Sequence, residues 1–203
     1  IDEKEITAKA EEYADKKMKM LLKPAIELLA GIPSVVFGFL GVIYIVPLVR
    51  NYLGGSGFSL ISTSLVLGIM ILPTIISISF DSLVSVPKTY REASAAMGAT
   101  KWQTIYKVII PSAKSGILAS FILGMGRAIG ETMAVIMIAG NALKIPTSLL
   151  DPLRTLTGNI ALELAYATGD HRLALFSTGV VLMIIIMILN YIANFGIKRK
   201  IAK

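Results

Sequence analysis

Four apolar runs, Ala25–Val49, Leu60–Phe80, Ser115–Asn141 and Ala174–Gly196, dominate this chain of 203 residues. Each reaches the roughly 20 residues that a helix needs to cross about 30 Å of hydrocarbon. Inside a bilayer, backbone N–H and C=O groups must be paired within the protein, so isolated runs of this length fold as helices. The expected fold class is all-α: a polytopic transmembrane helix bundle with four spans. Composition agrees, because 55% apolar and 16% charged residues, with a mean hydropathy of +0.73, are too apolar for a soluble domain.

Lysine and arginine then set an orientation. Four spans place both ends of the chain, and the loop 81–114, on one side. Fifteen of the 20 basic residues fall there, from Lys4–Lys23, Lys88–Lys114 and Lys198–Lys203, against Arg50, Lys144, Arg154 and Arg172 on the other side. Short loops rich in positive charge stay in the cytoplasm, so both termini are expected there. The net charge of +7 reports topology and implies no nucleic acid. Residues 1–24 read as a cytoplasmic approach helix, because they lack the apolar core of a signal peptide; residues 25–203 read as the transmembrane domain. Glu27, at the start of the first span, reads as an interfacial or interhelical contact.

Several chemistries are excluded or disfavoured. The chain has no cysteine, which removes disulfides, thiolate metal sites and cysteine nucleophiles. His171 is the only histidine, and with Asp170 alone beside it no metal site is expected. No G-x-x-x-x-G-K-[ST] phosphate loop occurs, so energy from ATP would have to come through a partner.

Arg127 and Glu131 are the ionisable residues within the third run, SGILASFILGMGRAIGETMAVIMIAGN. Charges at such depth are costly and commonly line a path. Spaced four apart, they are expected on one face of a continuous helix, partly neutralising each other. A guanidinium keeps its charge and offers a planar fork of donors to an oxyanion. Glu131 is expected to hold Arg127 when substrate is absent, and to accept the hydrogen that phosphate keeps and sulfate lacks. A structural ion pair that fixes helix packing is the other open reading. Gly126 and Gly130 form a small-xxx-small pair that would let a neighbouring helix approach closely. In the first span Gly31, Pro33, Gly38 and Gly41, and in the second Pro73, are expected to bend the helix and favour close packing. The segment Ala142–Leu173 is expected to form short helices or a cover on the external side.

The loop 85–111 carries helix punctuation. Ser85 is expected to cap a helix with Pro87 in its first turn, and Gly98 to end it in the left-handed conformation. Thr100 is expected to cap a second short helix to about Val108, with Pro111 breaking it. The run REASAAMGATKWQTIYKVIIP resembles the EAA loop of ATP-binding-cassette importer permeases, with Ser94 where that family usually has alanine. Three further runs, ELLAGIPSVVFGFLG, GMGRAIGETMAVIMIAGN and IPTSLLDPLRTLTGNIALEL, resemble the phosphate importer permeases of PstC type.

That resemblance implies a subunit of a bacterial or archaeal cytoplasmic membrane, forming half of an ATP-driven path for inorganic phosphate. It implies six spans, so this sequence is expected to be truncated at its N-terminus. Glu92, Ala93 and Gly98 would couple to the ATPase subunit, while Arg127, Glu131 and Thr132 would line the substrate pathway. The implied partners are a PstA-type permease subunit, a dimer of ATP-binding cassette ATPases holding ATP and Mg, an extracytoplasmic phosphate-binding protein and the lipid bilayer. No cofactor is expected in the chain itself, nor any enzymatic reaction. The alternative is a proton-coupled secondary anion transporter with Glu131 as the proton carrier.

Overall fold

The structure, a computed structural model, describes residue 26 and residues 28–201, with side chains as far as Ile192. Glu27 and the approach helix expected over 1–24 lie outside the described residues. All regular elements described are helical: α1 (Ser34–Leu53), α2 (Leu60–Val84), α3 (Lys88–Ala96), α4 (Lys101–Ser112), α5 (Lys114–Gly130), α6 (Met133–Ile138), α7 (Leu156–Glu163) and α8 (Gly169–Ile201). Among the described residues, α1, α2 and Gly169–Ile192 are each long and apolar enough to cross a membrane. The bent pair α4–α5 makes a fourth if counted as one span, its halves meeting at 62°.

Three prolines sit inside helices without breaking them: Pro73 within α2, and Pro47 and Pro111, which share a local reason. Pro47 follows a π turn at Gly41–Ile45, closed by Val46 N–H donating to the Gly41 carbonyl. Pro111 follows a second at Ile105–Ile109, closed by Ile110 N–H donating to the Ile105 carbonyl. A proline ring clashes with the carbonyl four residues back, and a widened turn moves that carbonyl aside. Pro111 therefore does not end α4 as the sequence suggested; the chain turns at Ala113 instead. Ser85 also differs from expectation: it closes the end of α2, donating to the Ser82 carbonyl, while Pro87 is the residue that precedes α3.

The third apolar run is not one helix. α5 stops at Gly130, Glu131 is extended at φ −68° and ψ 133°, and α6 restarts at Met133. Arg127 and Glu131 consequently do not share a helical face, and no ion pair joins them.

α2 and α5 make the principal helix contact. Three small residues one turn apart permit it: a Cβ on Gly116 would lie 2.2 Å from Ser82 Oγ, and one on Gly124 2.8 Å from Ile75 Cγ1, while Ser120 hydrogen-bonds Ser79 at 2.8 Å. Gly126 and Gly130 have no atom within 4 Å of where a Cβ would stand. Within this chain the close packing of α5 therefore lies on a different face from the one expected. In α1, Gly38 and Gly41 are the close-packed glycines: their Cβ positions fall 2.9 Å from Ala134 Cα and 2.6 Å from Ile138 Cδ1 of α6. Pro33 is exposed at the start of α1, and Gly31 has open space where a Cβ would stand. The apolar core of this end comprises Val46, Val66 and Ile138, and a second small core of Val86, Ile109 and Ala113 sits under the α3–α4 hairpin.

The start of α2 is built by a distant segment. Leu60 and Ile61 N–H groups donate to the carbonyls of Asp151 and Leu149, and Ser62 N–H to Ser59 Oγ, so the first amides of the helix are satisfied without water. The segment between α6 and α8 thus folds back as a cover containing α7.

Candidate functional site

Arg127, near the end of α5, is half-buried and donates from Nη1 to Thr74 Oγ1 at 3.2 Å. Thr74 follows the buried Pro73 in the middle of α2. The other four N–H donors of the guanidinium have no hydrogen-bond partner among the described residues. Such a group in an apolar bundle is a charged site with donors in hand.

Glu131 Oε1 accepts from the Thr132 and Ala134 N–H groups at 3.0 and 3.1 Å, capping the restarted helix. The carboxylate therefore compensates the amides that the break exposes. Thr132 is half-buried, and its hydroxyl donates to the Gly130 carbonyl. The break is held from outside as well: buried Thr157 of α7 donates to the Glu131 carbonyl at 2.9 Å. Sequence reading missed Thr74 and Thr157, although a threonine next to a proline inside an apolar span was a visible signal.

The cover has its own polar frame. Arg154 donates to the Asn141 carbonyl and to Asn159 Oδ1, both at 3.1 Å, and pairs with Glu163; His171 Nε2 lies 2.9 Å from the other Glu163 oxygen. This chain of contacts ties the end of α6, α7 and the start of α8 together. Nearby, Asp151 Oδ2 accepts from Thr147 N–H, Thr147 Oγ1 and Ser148 N–H. These bonds, led by the Thr147 amide, and Lys144 at 3.6 Å hold the Asp151 carboxyl below its ordinary range.

At the opposite end, α3 and α4 form a hairpin. Thr100 and Gln103 make a reciprocal capping box at the start of α4, and Gly98 takes φ 77°, closing α3 in the left-handed region. Ser94, where an alanine was expected, is buried and hydrogen-bonds Thr104 at 2.9 Å across the hairpin. Its hydroxyl thus joins the two helices. Glu92 and Ala93 are exposed on α3. Ala93, Met97, Gly98 and Lys107 help line an open groove of about 780 Å³. Arg91 fastens the hairpin to α2 by donating to the Leu83 carbonyl at 3.3 Å.

Residues 6–203 match the family described as binding-protein-dependent transport system inner membrane component. The probable ABC transporter permease protein YqgH of Bacillus subtilis is 43% identical over 190 residues, covering 90% of this chain and 60% of that protein. The phosphate transport system permease protein PstC of Pasteurella multocida is 33% identical over 208 residues, covering 93% and 65%. The chain thus spans just under two thirds of the length of these relatives. In fold, a chain from inward-facing conformations of the MetNI methionine ABC transporter superposes with a TM-score of 0.69 at 20% identity, covering 93% of this chain and 78% of that one. With a match over nearly its whole length, this chain belongs to the binding-protein-dependent transport system inner membrane components and is a multi-pass membrane protein.

Proposed function

We propose that this chain is the permease subunit of an ATP-driven importer of inorganic phosphate and contributes half of the translocation path. The observation that carries the reading is Arg127, a guanidinium half-buried among apolar helices, held by one hydroxyl and retaining free donors. A desolvated arginine attracts a tetrahedral oxyanion strongly, because hydrogen bonds to charged groups gain in a low-dielectric setting. Names borne by the relatives, phosphate permeases among them, support the choice of anion.

In this reading Glu131 and Thr132 line the path with Arg127. Glu131 Oε2 makes no hydrogen bond among the described residues and serves as the acceptor for the hydrogen of hydrogen phosphate, while Oε1 holds the helix break. The α3–α4 hairpin, with Glu92, Ala93 and Gly98, is the element that couples to an ATPase dimer, which holds ATP and Mg. A PstA-type permease supplies the other half of the path, and an extracytoplasmic phosphate-binding protein delivers the anion. The hairpin and both ends of the chain face the cytoplasm, in keeping with their lysines and arginines.

The test is phosphate uptake into vesicles by the full-length permease in its complete complex. Arg127→Ala is expected to abolish ATP-dependent uptake with ATPase docking intact, whereas Glu92→Ala weakens docking. Uptake that ignores ATP and follows an imposed proton gradient would instead establish a secondary transporter.

A further inference from the structure

Thr74 is the hydrogen-bond partner of Arg127, and its hydroxyl is unusual for one on a helix. Thr63, Ser82, Ser177 and Thr178 each return their hydrogen to the carbonyl four residues back. That is the ordinary resting place for a hydroxyl in an apolar helix. Thr74 Oγ1 instead accepts from Arg127 Nη1 and gives its hydrogen to no group among the described residues. A hydroxyl has one hydrogen to donate and two lone pairs. Here one lone pair is engaged by a cation, which polarises the O–H bond and makes it a stronger donor. Gly126 and Gly130, which flank Arg127 in the sequence, have no atom within 4 Å of where a Cβ would stand, so no side chain from another described helix is packed against those two positions.

We propose that Thr74 is the second donor of the anion site. Its oxygen fixes the orientation of the guanidinium, and its hydrogen goes to one oxygen of a tetrahedral oxyanion whose other oxygens take N–H groups of Arg127. The inference rests on the anion-path reading of Arg127 given above. It assigns Thr74 two functions that one hydroxyl performs together, so both are lost when the hydroxyl is removed and both survive in serine. A donor hydroxyl serves any fully charged oxyanion, so Thr74 contributes affinity for the class, and the choice of phosphate falls to acceptors such as Glu131.

The experiment measures phosphate transported per ATP hydrolysed by the full-length permease in its complete complex in proteoliposomes. Thr74→Val, Thr74→Ser and Arg127→Gln are compared at equal complex content. Thr74→Val is expected to lower the ratio about tenfold, the size of a lost hydrogen bond to a charged group, and Thr74→Ser to stay within about twofold of the unsubstituted protein. Thr74→Ala replaces Thr74→Val if the valine lowers complex yield. A fall of less than about threefold in the hydroxyl-free variant, or a serine variant as poor as the valine, overturns the role of Thr74, provided Arg127→Gln abolishes transport. Normal transport by Arg127→Gln overturns the underlying path as well.

Discussion

Adding one methyl group at Gly116 tests how tightly α2 and α5 are held together. A Cβ there would stand 2.2 Å from Ser82 Oγ and 2.6 Å from Ser82 Cβ, but 3.7 Å from Ser82 Cα. Two opposing effects follow. Alanine is a better helix former than glycine by about 0.5–1 kcal/mol, while forcing an extra carbon into a packed contact costs about 1–3 kcal/mol. Both clashing atoms belong to a short side chain near the backbone, with no flexible end that can swing away, so overpacking wins. Gly116→Ala is expected to destabilise the protein by about 1–2 kcal/mol, lowering the melting temperature of the purified complex by a few degrees, on the order of 2–4 °C per kcal/mol. Ser82→Gly removes both offending atoms. It is destabilising alone but restores room in the double variant, giving a favourable coupling of about 1–2 kcal/mol in the cycle. The assay is thermal unfolding of the detergent-solubilised full complex in all four combinations. A neutral or stabilising Gly116→Ala, or a coupling within error of zero, would refute the account of this interface.

Two other substitutions probe the end at which the cover closes. Gly57 has φ 81°, and a Cβ would lie 2.4 Å from the Val46 carbonyl oxygen. Gly57→Ala therefore suffers both left-handed strain and a clash with backbone, and is expected to cost at least about 2 kcal/mol, read as a lower melting temperature. Asp151 is predicted to make the 147–151 turn acid-sensitive. Its pKa is held below the ordinary 3.8 of an aspartate by Thr147, Ser148 and Lys144. A depressed carboxyl stabilises the fold fully above its unfolded value and loses that contribution as pH falls through the folded one. Amide exchange at Thr147 and Ser148 is thus expected to be flat in its protection from neutral pH to about 5 and to lose that protection below 3.8; Asp151→Asn shifts that protection at neutral pH.

What the sequence revealed and what it hid divide along the range of the interactions. Apolar length located α2 and α8 closely and α1 with a start set too early, at Ala25 against Ser34, and Thr100 announced the start of α4, because capping is settled within one turn. The break at Glu131 was not legible. Gly130 is its only local sign, and the partners that hold it include Thr157, 26 residues further on. The face of α5 that packs within this chain was not legible for a related reason. Gly116, Ser120 and Gly124 offer the same small-residue spacing as Gly126 and Gly130, and composition does not say which side of the helix meets α2. Arg127 was visible as a charge out of place, but its partner Thr74 lies 53 residues away, a juxtaposition created by the fold. Ser94, noted in the sequence only as standing where the resembled family usually has alanine, carries a bond across the hairpin.

A helix interrupted partway acquires a joint, and at this one a single carboxylate stands in for the missing turn. The Thr132 and Ala134 amides are satisfied by Glu131 Oε1, so across the break a side chain with rotatable bonds takes the place of part of the backbone ladder that an unbroken helix would have. Any movement of α6 against α5 would require that carboxylate to release its two amides and Thr157 to release the Glu131 carbonyl. Stiffness at this depth is thereby shared between Glu131 and Thr157, each of which a single codon can change.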